Sequence, residues 1–156
     1  MNFAEVLRQF GRAVEAGDGA ALAALFTADG VYDDVFYGEF RGRAAIADML
    51  ENRFHRDGEA FRWDFRDPVC DGTTGYAGWL FSYTAKTPHA AGTRVVFDGV
   101  GRFRLADGLV AHYADFCNGV VPLRQMGAPW DVVDRMTGRW QAKLEADPDF
   151  GAHSGR

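Results

Sequence analysis

An α+β fold is the class this 156-residue sequence predicts, on two observations. The first third carries apolar residues at helical spacing, and the middle switches to strict alternation in long runs separated by Asp-Gly turns. Helices therefore come early and long antiparallel strands late, unlike the strand-helix alternation of a doubly wound sheet.

Phe3, Val6, Leu7, Phe10, Ala13 and Val14 recur at intervals of three and four, which predicts an amphipathic helix ending near Gly17. Asp18 is placed to cap a short second helix with Leu22, Leu25 and Phe26 on its apolar face. Residues 31–37 read as a strand, with Gly38 and Gly42 as a bend and a break. Ile46, Met49, Leu50 and Phe54 define a third helix. The period then becomes two. Phe61, Trp63 and Phe65 alternate with Arg62, Asp64 and Arg66, and Asp71-Gly72 turns the chain into a strand over 75–84. A loop follows over 86–92, then paired strands over 94–105 and 109–117 around Asp107-Gly108. Pro122 and Pro129 bound a linker. Beyond it Trp130, Val133, Met136 or Thr137, Trp140 and Leu144 predict a C-terminal helix, which packs on the sheet, covers its open end or serves a partner subunit. Residues 1–147 are read as one domain and 148–156 as a flexible tail.

Composition narrows the functional classes. A 17.2 kDa chain buries about two thirds of its unfolded surface without staples. Cys70 and Cys117 stand far apart with no metal-type spacing, so free thiols and a cytoplasmic location are expected. No stretch is apolar enough to cross a membrane, and the N-terminus does not read as a signal peptide. A net charge of -5 with no basic cluster disfavours nucleic acid or an anionic membrane as partner. There is no phosphate-binding glycine loop and no grouped ligand spacing, so neither cofactor nor metal is expected. An aromatic content of 14% implies a large aromatic core or a cavity lined by the same residues.

The segment VYDDVFYGEFRG, residues 31–42, sets two adjacent aspartates in a strand-like run. Strand alternation sends them to opposite faces. Tyr32 and Asp34 then share one face, and Asp33 takes the other, solvated or hydrogen-bonded at the surface.

The element order resembles the nuclear transport factor 2-like superfamily, which includes ketosteroid isomerase, limonene-epoxide hydrolase, scytalone dehydratase and the SnoaL-like polyketide cyclases. The resemblance is carried by AGDGAALAALFTADGVYDD over 16–34, by the G-x-x-A-I stretch over 42–46 and by DGLVAHYADF over 107–116, and it spans residues 3–118. It implies a mostly antiparallel sheet curled into a cone against the N-terminal helices, with a pocket for a small apolar ligand inside and homodimers formed through the outer sheet face. It also implies site residues. Asp34 matches the general base of the isomerase, Tyr32 and Asp34 the water-holding pair of the epoxide hydrolase, and Asp115 one of that enzyme's carboxylates. Departures are equally specific. Phe10 and Gly101 stand where the isomerase has its oxyanion tyrosine and aspartate, and Leu80 and Ser82 stand where the hydrolase has arginine and aspartate. Neither His89 nor His112 reproduces the paired histidines of the dehydratase.

The expected site is thus catalytic Asp34 and Asp115, lined by Tyr32, Ser82, Tyr113, Trp63 and Phe10. Burial among aromatic rings raises a carboxyl pKa toward neutrality, which suits cofactor-free acid-base chemistry: isomerisation, dehydration, cyclisation or hydrolysis. The alternatives are a non-catalytic binder of small hydrophobic ligands and a homodimeric interaction module. Strand parity sets His112 opposite Asp115, on a dimer or core face.

Overall fold

The computed structural model describes residues 2–155. Helix α1, Phe3–Ala16, starts where the Asn2 side chain accepts the Glu5 amide and ends at Gly17 in the left-handed conformation. Asp18 caps α2, Gly19–Ala24, by accepting the Ala21 amide at 2.8 Å. Leu25 and Phe26 are buried as expected but lie beyond the helix, and β1 begins at Phe26 and runs to Asp34.

The expected strand over 31–37 stops three residues early. Asp34 Oδ1 accepts the amides of Phe36 at 2.8 Å and Tyr37 at 2.7 Å, a side-chain turn that competes with the strand ladder and redirects the chain into β2, Gly38–Arg41. The third helix is compound: α3, Arg43–Met49, a π-helical turn Leu50–Phe54, and α4, His55–Asp57. Its predicted apolar residues Ile46, Met49, Leu50 and Phe54 are all buried.

Four long strands follow: β3 Gly58–Cys70, β4 Thr74–Ala85, β5 Arg94–Ala106 and β6 Leu109–Cys117. The six strands form one curved, unclosed sheet in the order β2-β1-β6-β5-β4-β3. All pairs are antiparallel except β1 with β6, which run parallel with Tyr32 opposite Tyr113. Helix α1 lies against β3 and fills one end of the concave face. There Phe10, wholly buried, stacks on Tyr32 at 5.8 Å and meets Tyr113 at 4.8 Å and Trp63 at 5.4 Å. Gly101 makes this packing feasible, since a Cβ there would sit 2.9 Å from the Tyr113 ring. The aromatic side chain occupies the space that a side chain at 101 would need.

The predicted linker contains a helix, α5 Val120–Gln125, with Pro122 in the first turn, where its missing N–H costs no helical bond. Helix α6, Trp130–Glu145, follows, then α7, Phe150–Ser154. The bulky face predicted for α6 is only partly used: Val133 is buried, while Trp130 and Leu144 are largely exposed. Trp140 Nε1–H donates to the Val35 carbonyl at 2.8 Å, and the Lys143 ammonium lies 2.6 Å from both oxygens of Asp33. These contacts dock the helix on its own chain. They also correct the expectation for Asp33, which is 8% exposed because α6 brings a cation over it from 110 residues away. Among the described residues no helix is long and apolar enough to cross a membrane.

Candidate active site

Between the concave sheet face and the C-terminal helices lies a cavity of about 270 Å³. Asp34 comes to it from the end of β1 and Asp115 from β6, while Trp63, Trp79, Phe81 and Phe97 from β3 to β5 form its aromatic walls. Leu123 and Met126 of α5 and Val132 and Met136 of α6 close it from above. The C-terminal segment therefore covers this chain's own cavity.

Asp34 is 6% exposed. Burial pushes its pKa up to about 6, and the two amides on Oδ1 keep it from rising further; the Asp33 charge adds a smaller upward push and Lys143 a smaller downward one. Oδ1 takes both amide hydrogens, and Oδ2 accepts no hydrogen bond from the described residues. Asp115 is pushed well above the ordinary carboxyl range, first by burial and then by the charge of Asp34, with the Tyr113 hydroxyl, which donates to Oδ1, holding it partly down. Two carboxyls facing one apolar-walled cavity cannot both ionise cheaply, and the charge of Asp34 raises Asp115 further, so Asp34, raised to about 6, is placed to ionise before Asp115.

Tyr32 and Tyr113 form the layer beneath the carboxyls. Burial, then the nearby acids, pushes both phenols well above their usual range, so they remain donors. The buried Tyr32 hydroxyl has no hydrogen-bond partner among the described residues. At the other end of the cavity Tyr37 donates to Asp57 at 2.6 Å, and Arg56 grips both oxygens of Asp57 at 2.6 and 2.8 Å. Arg56 holds Asp57 below the usual carboxylate range, so this third carboxylate is already neutralised.

The structure brings together Asp34, Asp115 and Trp63 at the cavity, with Tyr32 and Tyr113 directly behind. Phe10 and Ser82 are not in the lining. Phe10 belongs to the solid core under Tyr32, and Ser82 points to the outer face of β4, where its hydroxyl accepts from Arg94 at 2.6 Å. Parity decides this: Phe81 and Tyr83 line the cavity, so the residue between them faces away. Leu80, at the position where the epoxide hydrolase needs arginine, shares that outer parity. His112 is likewise on the face opposite Asp115; there Asp33, Glu39 and His112 converge within 4.8 Å, with the Lys143 ammonium already on Asp33. Sequence reasoning did not find Tyr37, Asp57 or the methionines of α5 and α6. Only Tyr37 had a local signal, as it follows an aspartate placed to form a turn.

Comparison with known proteins bears on the fold. The family described as the SnoaL-like domain matches residues 7–113. In sequence, no curated protein matches the chain. Among solved structures, a hypothetical protein of ketosteroid isomerase-like fold from Catenulispora acidiphila DSM 44928, in complex with trimethylamine, superposes with a TM-score of 0.73 at 21% identity, covering 83% of this chain and 98% of its own. A limonene-epoxide-hydrolase-like epoxide hydrolase of M. tuberculosis gives 0.64 at 19% identity, with 83% and 92% covered. SalBIII, an epoxide hydrolase/cyclase-like enzyme with a role in pyran ring formation in the polyether salinomycin, gives 0.63 at 21% identity, with 76% and 92% covered.

Proposed function

The chain belongs to the SnoaL-like domain family, and on that premise we propose that it is a cofactor-free acid-base enzyme acting on a small, largely apolar, cyclic or polyketide-like molecule. Asp34 is the base, acting through Oδ2, and Asp115 the acid that protonates or hydrogen-bonds the developing oxyanion. Tyr113 positions Asp115, and Tyr32 packs against the Tyr113 ring from behind. The single observation that carries the reading is the pair of carboxyls on one apolar cavity with their ionisation pushed apart, one near 6 and the other well above the carboxylate range. Neighbours of the same fold that open epoxides or close rings lend the reaction class general support. The arginine clamp of the epoxide hydrolases is missing, which favours proton transfer at carbon over epoxide opening.

The test uses a simple carbon acid. In D2O at pH 7.5, the protein is expected to accelerate α-hydrogen exchange of 2-tetralone, followed by NMR, and Asp34→Asn is expected to lose about 100-fold or more of that acceleration, the usual range for a general base. A wild-type rate no faster than buffer, or an unchanged rate in the variant, would leave a non-catalytic binding protein as the better account.

We further propose that two chains pair through the outer sheet face, where Tyr76, Val96, Val100 and Phe116 are exposed. Free thiols at Cys70 and Cys117 suit a cytoplasmic location.

A further inference from the structure

We propose that the cavity takes an apolar molecule bearing one tertiary or quaternary ammonium group, held with its positive charge between the Asp34 carboxylate and the surrounding aromatic faces. This goes beyond the acid-base reading and does not depend on it, since it requires only that a guest enters.

The charge inventory is the first argument. No lysine, arginine or histidine among the described residues lines the cavity. Asp57 has Arg56 and Tyr37 as partners, and Lys143 is spent on Asp33 at the other sheet face. Asp34 is left with one oxygen unbonded and no cation inside the cavity. A neutral apolar guest would displace any water from that oxygen and bind only at the cost of protonating Asp34 or leaving its charge without a partner, a penalty that a cation avoids.

The walls are the second. Phe97 meets Trp79 and Phe81 at 5.6 Å with interplanar angles of 85° and 88°, and Phe36 at 6.1 Å and 85°. All four rings border the cavity at differing orientations, and aromatic faces attract alkylated ammonium ions. Met126 and Met136 add polarizable sulfur to the roof. A primary ammonium would need three acceptors, whereas the free acceptors here are few, so an N-alkylated cation fits the lining better.

The charged and titratable groups around Asp34 are Asp33 beside it, Tyr37 in the turn, Tyr32 on its own strand, Tyr83 of β4, Tyr113, Asp115 and Cys117 of β6, and Lys143 of α6. The phenols and the thiol are pushed upward and stay neutral near pH 7, and Asp115 is pushed in the same direction by burial and by the charge of Asp34. Asp34 is thus the group whose charge changes between pH 5 and 7.5.

A matched pair of probes tests the proposal: (3-hydroxyphenyl)trimethylammonium and 3-tert-butylphenol differ only in nitrogen cation against carbon. Titration calorimetry at pH 7.5 is expected to show the cation binding about tenfold or more tightly, the scale of a desolvated cation-aromatic contact. At pH 5, with Asp34 protonated, the cation's affinity should fall and the phenol should bind at least as tightly as at pH 7.5, so the preference should shrink several-fold. Asp34→Asn should retain the phenol and lose the preference. If that variant fails to fold, the pH comparison on the unaltered protein decides alone. Equal or weaker binding of the cation at pH 7.5, a preference unchanged at pH 5, or no binding of either probe would overturn the proposal. The 2-tetralone exchange reports on the acid-base reading separately, because that probe carries no charge.

Discussion

Folding moves Asp34 from water to a cavity walled by aromatic rings, and its carboxyl then holds its proton up to about pH 6 instead of the ordinary 3.8. Because the folded pKa is raised, this residue favours the fold below pH 3.8 and that advantage is lost as pH rises through about 6. The gap corresponds to about 3 kcal/mol at pH 8. Asparagine keeps an oxygen for the amides of Phe36 and Tyr37 but never carries the charge. Asp34→Asn is therefore expected to melt several degrees above the wild type at pH 8 and to show little gain at pH 4, by calorimetry; equal melting temperatures at pH 8 would contradict a desolvated Asp34. At this scale, alternation was the reliable guide. It set Tyr32 and Asp34 on one face and His112 on the other, and applied to Ser82 it would have sent that residue outward, where family position alone had drawn it in. The burial of Asp33 was not legible, since its partner Lys143 comes from an element 110 residues away.

At the scale of elements, periodicity located the strands β3 to β6 and the helices α1 and α6, because a half-buried strand or helix must repeat its apolar residues to bury one side, but it began β1 five residues late and gave Phe26 to the preceding helix. It failed where a few local hydrogen bonds redirect the backbone. The Asp34 turn cut short a run of Val, Phe and Tyr that looks extended, and α5 is too short for a periodic signal. Periodicity was also silent on where α6 docks, which rests on Trp140 with the Val35 carbonyl and Lys143 with Asp33. The outer faces of β4 to β6 carry the opposite message: Val96, Val100 and Phe116 are apolar yet 40%, 41% and 52% exposed, and Arg102 lies over the Phe116 ring at 5.2 Å. Such a strip is the surface that the proposed pairing of two chains would cover. The wild type is expected to sediment as a dimer at tens of micromolar, and Val100→Asp to convert it to a monomer with its cavity intact; a monomeric wild type would remove the dimer from the account.

For the whole molecule, the two ends of the concave face have different fates. Helix α1 fills one end with Phe10 against Tyr32, Tyr113 and Trp63, and the other end stays hollow under α5 and α6. The α+β class and the late antiparallel hairpins were readable from pattern and resemblance, while the order of strands in the sheet, with β1 parallel to β6, was not. The volume of the hollow was not, because it depends on how side chains from nine separate elements meet across it. What the hollow does chemically depends on Asp34 and Asp115 sharing one dry environment unequally. The most direct test is a 13C NMR titration of protein labelled at the aspartate Cγ, with Asp34→Asn and Asp115→Asn supplying the assignments. The account predicts one carboxyl titrating near pH 6, lost in Asp34→Asn, and a second that remains protonated through neutrality and is lost in Asp115→Asn. Both carboxyls titrating near 4, as they would in open water, would contradict it.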